Sequence, residues 1–165
     1  MQIGTIRANG ETRAARLDGN RLTLLPFADV GAVLRADALD AAHAASGESV
    51  PVANADWAPL VTHPEKIVCV GLNYREHIRE TGSDTPAYPT YFAKYRRALI
   101  GANDEIRLPA VSTKVDWEIE LCIVIGREGR NIDAAQALDH VAGYSILNDT
   151  SMRDFQRRTK QFLAG

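Results

Sequence analysis

The stretch "DWEIELCIVIG", residues 116–126, decides how the rest of the chain is read. From Trp117 to Ile125 every second residue is large and apolar: Trp117, Ile119, Leu121, Ile123 and Ile125. Successive side chains of a strand leave opposite faces, so this period of two makes one face apolar. The other face reads Glu118, Glu120, Cys122 and Val124, beginning as two carboxylates and ending apolar. The pattern predicts a strand covered on both faces, with two acids side by side on one of them, their Cβ atoms about 6–7 Å apart. Carboxylates that close repel when water is scarce, and one must take up a proton unless a cation lies between them. All-oxygen ligands suit a hard cation, Mg²⁺, Mn²⁺ or Ca²⁺, rather than zinc. At an exposed strand end the same two acids would be solvated instead.

Further along, "YSILND" puts Asp149 at the end of another apolar strand, where it meets a helix. Asp there is the ordinary helix N-cap. As a third oxygen ligand it would complete a facial triad and leave metal positions open for water and substrate. Within "YREHIRETG", His77 and Glu80 are i and i+3 on a predicted helix that Gly82 stops, so they share a face. A Glu bonded to the imidazole would fix its tautomer, and the pair could deprotonate water near neutral pH. A solvated His–Glu pair is the other reading. In "RDFQRR", Arg153 and Gln156 repeat the i, i+3 spacing, and the planar fork of Arg suits a carboxylate. Arg157, Arg158 and Lys160 read as a solvated basic face, and Lys94 in "FAKY" is ambiguous alone.

The remainder bounds the class. The 165 residues carry a net charge of −2 with no basic block, which argues against nucleic acid or an anionic membrane as partner. No apolar run approaches a membrane span and no secretory signal is visible, so a cytoplasmic protein is expected. Cys69 and Cys122 sit in apolar strand-like runs and read as buried reduced thiols. CxxC, Walker, GxGxxG and GxSxG patterns are absent. Residues 1 to about 27 read as short strands turned at Asn9-Gly10 and Gly19-Asn20, residues 29–46 as a helix capped by Asp29, and residues 47–65 as a linker. These features predict a small N-terminal domain over 1–60 and a second region over 61–165. In the second region "DAAQALDHV" predicts a helix with a capping box from Asp133 and Gln136, and residues 150–165 predict a basic amphipathic helix.

"GLNYREHIRETG", "YFAKYRRALIGANDEIRLP", "DWEIELCIVIG" and "AGYSILNDTSMRDFQRRTKQFLAG" follow one another in order. Together they resemble the fumarylacetoacetate hydrolase (FAH) family over roughly residues 62–165. The resemblance implies an α+β, β-rich fold, a mixed β-sandwich roll behind a small N-terminal α/β domain, and a homodimer. It implies Mg²⁺ or Mn²⁺ on Glu118, Glu120 and Asp149. His77 and Glu80 would be a water-activating pair on a lid, and Lys94, Arg153 and Gln156 would bind substrate. Members hydrolyse acylpyruvates and fumarylacetoacetate, decarboxylate oxaloacetate-like acids, or isomerise hydroxydienoic diacids. A metal-dependent C–C bond hydrolase of small dicarbonyl or 2-oxo acids is therefore the expectation, with decarboxylase or isomerase chemistry as the alternative and an inactive fragment or binding protein as a third. Tyr95 stands where many members carry Pro, and Met152 where many carry Ala. Members usually continue well past the point matching Gly165, so the chain reads as the N-terminal portion of a longer protein. Such a portion is expected to leave sheet edges and apolar surface uncovered and to be poorly stable.

Overall fold

Alternation in the first 24 residues produces a meander. In the computed structural model, which describes residues 1–165, β1 (Ile3–Ala8), β2 (Glu11–Asp18) and β3 (Arg21–Leu24) pair antiparallel in sequence. Asn9 and Gly10 both take positive φ, 53° and 81°, the backbone that a tight hairpin matched to strand twist requires. The consecutive residues Ala14 and Ala15 point to opposite faces of β2, and each seeds a core cluster. Ala15 packs with Ile6 and Leu22. Ala14 packs with Leu25, Val33 and Ala42.

The predicted helix over 29–46 is two short helices, α1 (Val30–Arg35) and α2 (Leu39–Ala44). The break falls at Asp37, whose φ of 49° interrupts the helical ladder. Asp29 does cap α1, its Oδ1 accepting from the Ala32 amide at 2.6 Å. Its other oxygen accepts from the Thr62 amide at 2.8 Å and from the Thr62 hydroxyl.

Residues 47–65 are not a plain linker. They supply β4 (Ser49–Pro51) and β5 (Asp56–Trp57), the two edges of a five-stranded sheet ordered β4-β3-β2-β1-β5. Two or three residues are too few for periodicity to register, and Pro51 is tolerated at an edge where its missing N–H costs no ladder bond.

Beyond this sheet lie β6 (Ile67–Gly71), α3 (Arg75–Thr81), β7 (Thr90–Lys94), β8 (Val115–Asp116), β9 (Ile119–Ile125), β10 (Val141–Asn148), β11 (Ser151–Met152) and α4 (Arg153–Gln156). Each of the pairs β6–β7, β9–β10 and β8–β11 is a two-stranded antiparallel sheet. The chain divides into two units. One holds Met1–His63, Leu99–Ile106 and Glu118–Asp149, and the other holds Pro64–Ala98, Arg107–Trp117 and Thr150–Gly165.

In the first unit, Arg7 ties the segment 99–106 to the sheet through both oxygens of Asp104, at 3.0 and 2.6 Å, while also bonding Asp56 at 2.7 Å. Gly101 permits the approach, because a Cβ there would meet the Trp57 carbonyl oxygen at 1.8 Å.

Two predicted helices shrink. "DAAQALDHV" is a 3₁₀ run, Ala134–His140, and Asp133 makes no side-chain cap. The helix expected over 150–165 stops at Gln156. In the second unit Phe162 takes φ 58° and sets its ring edge-to-face on Phe92, with centroids 5.8 Å apart. Anchoring that aromatic ring wins over continuing a short exposed helix.

The strand "DWEIELCIVIG" is broken after Asp116, giving β8 and β9. Its apolar side faces outward, against the two covered faces that the alternation predicts but in keeping with the uncovered apolar surface also expected above. Ile119, Leu121, Ile123 and Ile125 on β9, and Tyr144 and Ile146 on β10, are 52–75 % exposed. The opposite face, with Glu118, Glu120 and Cys122, is half-buried. Neither cysteine is in a disulfide, and burial pushes the Cys122 thiol up. No helix is long and apolar enough to cross a membrane.

Candidate functional site

Within the first unit, the β9–β10 register gathers the three acids. Glu120 lies opposite Leu147, and Ile119 lies opposite Asn148. One residue further, the Asp149 amide donates to the Glu118 carbonyl at 2.8 Å. The Glu118 amide in turn donates to Asn148 Oδ1 at 3.2 Å. These bonds set Asp149 beside Glu118 at the strand ends, while the period of two puts Glu120 on the same face as Glu118. Asp149 is buried, 6 % exposed, and the two glutamates are half-buried.

One buried and two half-buried carboxylates at adjacent positions are an oxygen donor set whose chemistry suits a hard divalent cation. In the conformation described, no three or more His, Cys, Asp or Glu side chains stand at metal-binding geometry. The backbone brings the three residues together, the side chains are not converged, and each of the three has an interaction partner. Glu118, Glu120 and Asp149 are the residues that could hold such an ion once their side chains turn together, and it would then supply Lewis-acid polarisation of a substrate oxygen.

Within the second unit, α3 ends as the sequence predicts, with Gly82 at φ 62° accepting the left-handed cap. The helix presents a half-buried His77 and an exposed Glu80. No hydrogen bond joins their side chains. The ion pair on this helix is instead Arg79–Glu76 at 2.6 Å, and the Thr81 hydroxyl donates to the His77 carbonyl at 2.9 Å. Lys94, at the end of β7, reaches the Thr150 carbonyl at 3.4 Å.

Arg153 and Gln156 sit on α4, and Arg153 Nη1 donates to Gln156 Oε1 at 3.2 Å. Asp116 completes this group, and spacing alone did not reveal it. Its Oδ2 accepts from Arg153 Nε at 3.0 Å and pairs with Nη2 at 2.9 Å. The Arg153 guanidinium holds the Asp116 carboxyl below its usual range, and His77 adds to the same field. The available signal was the acid two residues ahead of the Glu-x-Glu pair, but its partner lies 37 residues on.

The family model for the fumarylacetoacetate (FAA) hydrolase C-terminal region matches residues 66–165, which include all eight predicted site residues. The chain therefore belongs to the fumarylacetoacetate hydrolase family. An oxaloacetate tautomerase, FAHD2A, mitochondrial, from Bos taurus is 44 % identical over 118 residues, 70 % of this chain and 38 % of the relative. The chain thus spans about two-fifths of the length of that relative. A fumarylacetoacetate hydrolase from psychrophilic Exiguobacterium antarcticum superposes with a TM-score of 0.79 at 26 % identity, over 99 % of this chain and 60 % of that one. A maleylpyruvate hydrolase from Sphingobium sp. SYK-6, solved with manganese(II) ion and pyruvate, shares the fold at a TM-score of 0.74 and 24 % identity, over 99 % of this chain and 62 % of that one. The fold is the β-rich α+β fold of this family.

Proposed function

We propose that the chain carries the metal-binding and substrate-orienting residues of an enzyme that interconverts the keto and enol forms of a small 2-oxo diacid of the oxaloacetate type. The observation that carries this reading is the 44 % identity to an oxaloacetate tautomerase over 118 residues. The side-chain arrangement is compatible with it. Tautomerisation breaks a C3–H bond, forms the C2–C3 double bond and delivers a proton to the C2 oxygen. It needs a proton carrier and no activated water. Half-buried His77 suits that carrier, and the separation of His77 from Glu80 is no obstacle to it. Arg153 and Gln156 would grip a substrate carboxylate, and Lys94 would steady the anion. Mg²⁺ or Mn²⁺ on Glu118, Glu120 and Asp149 is the cofactor of this reading, and a homodimer is its assembly.

The second reading is hydrolysis of a C–C bond in a β-dicarbonyl acid. It is favoured by the likeness to a fumarylacetoacetate hydrolase at a TM-score of 0.79. It would require His77 and Glu80 to come together and activate water. Protein expressed from its natural reading frame, stripped with EDTA and given Mn²⁺ or Mg²⁺, separates the two. Metal-restored decay of the oxaloacetate enol absorbance without pyruvate release supports the tautomerase. Metal-restored cleavage of acetylpyruvate, with the enol signal unchanged, replaces it with the hydrolase.

A further inference from the structure

We propose that Asp116 is a positioning residue that aims Arg153 at the substrate carboxylate, an inference that rests on the substrate-binding role given to Arg153 above. Backbone bonds fix both partners. Ser151 pairs with Asp116 and Met152 with Val115 across the short β8–β11 sheet, and the Arg153 amide donates to the Lys114 carbonyl at 2.9 Å. The carboxylate itself is oriented from two sides. Its Oδ1 accepts from the Trp117 amide at 3.0 Å, and its Oδ2 takes both Nε and Nη2 of Arg153. A guanidinium is a rigid planar fork, so seating its Nε–Nη2 edge on one oxygen fixes the direction of the Nη1–Nη2 edge. Gln156 Oε1, at 3.2 Å from Nη1, braces the same plane.

The guanidinium is thereby held by three oriented acceptor contacts before any ligand arrives. A flexible Arg would have to lose its rotamer freedom on binding, and here that cost is met within the fold. Asp116 is also near in sequence to the Glu118–Glu120 pair, with only Trp117 between it and Glu118. One short stretch therefore carries the brace for the carboxylate grip and the first proposed metal ligand.

The test is a double-mutant cycle, Asp116→Ala, Arg153→Ala and both together, with Asp116→Asn as the variant of nearly unchanged shape. Asp116→Ala should raise KM for oxaloacetate about tenfold with kcat within about threefold, the signature of lost ground-state orientation. On the Arg153→Ala background the same change should add less than about twofold, because Asp116 acts only through Arg153. Additive effects, or an unchanged KM in Asp116→Ala, overturn the proposal. If Asp116→Ala does not fold, Asp116→Asn carries the same comparison, with a KM rise of about threefold or more expected.

One readout is independent of turnover. The Arg153 Nε–H signal in ¹H–¹⁵N spectra should exchange slowly with water in the parent protein and rapidly in Asp116→Asn. Fast exchange in both overturns the proposal, whatever the reaction turns out to be. Slow exchange in the parent without oxaloacetate turnover would sink the tautomerase reading and leave the brace standing.

Discussion

The outward apolar face of β9–β10 makes a quantitative prediction for Ile146→Thr in residues 1–165. Ile146 is 75 % exposed and lies opposite Leu121, itself 59 % exposed. Burying an Ile side chain completely is worth about 1.5–3 kcal/mol, and only about a quarter of that burial is in place here. Thr keeps the branch at Cβ, so strand preference is retained. The expected cost is about 0.5 kcal/mol or less. Leu22→Ala, in the core of the same unit at 1 % exposure, should cost about 2–5 kcal/mol by loss of transfer energy and creation of a cavity. Urea unfolding followed by circular dichroism compares the two through their midpoints at constant m. A cost above about 2 kcal/mol for Ile146→Thr, approaching that of Leu22→Ala, would refute the reasoning, because it would mean that the face is covered in solution. A midpoint that rises with protein concentration would point to the same conclusion and name a second copy as the cover.

Glu118→Ala should weaken Mn²⁺ binding by more than about tenfold in calorimetric titration, since it removes one of three charged oxygen donors; unchanged affinity would remove Glu118 from the metal site. Asp18 gives a pH dependence of definite sign. Hydrogen bonds from Arg16 and Thr23 lower its carboxyl from the usual 3.8 to about 2, so its stabilising contribution is present above the usual value and is lost as pH falls through about 2. Asp18→Asn should therefore flatten the loss of thermal stability between about pH 4 and 2, and an unaltered acid limb would disprove the link. Gly101→Ala should destabilise by about 1–3 kcal/mol, because the new Cβ cannot share space with a backbone carbonyl; a melting temperature equal to the parent's would show that segment 99–106 sits elsewhere.

Much of the candidate site's local geometry was legible because it depends on neighbouring residues alone. The Glu118–Glu120 spacing needs only the period of a strand, and the His77–Glu80 and Arg153–Gln156 spacings need only that of a helix turn. The hairpin at Asn9-Gly10 and the cap at Gly82 are likewise backbone requirements written in one or two residues. Other features were not legible for a common reason. β4 and β5 are too short to carry a period and exist because β3 and β1 offer them edges. The segment after Gln156 leaves the helix because Phe162 finds Phe92, 70 residues earlier in sequence. Helical spacing at 133–141 described amphipathicity, but the chain there closes as 3₁₀ turns without the capping bond.

The sequence by itself determined which residue types could do chemistry and on which face of a local element each stands, because side-chain direction follows from backbone period alone. Only the tertiary structure decided who meets whom. It joined Asp149 to Glu118 through a backbone hydrogen bond at the ends of two paired strands, gave Arg153 the Asp116 partner, and left the His77 and Glu80 side chains without a hydrogen bond between them. It also turned the apolar side of β9 outward and the acidic side inward. Alternation shows that a strand has two different faces, but which of them is covered depends on what packs against it.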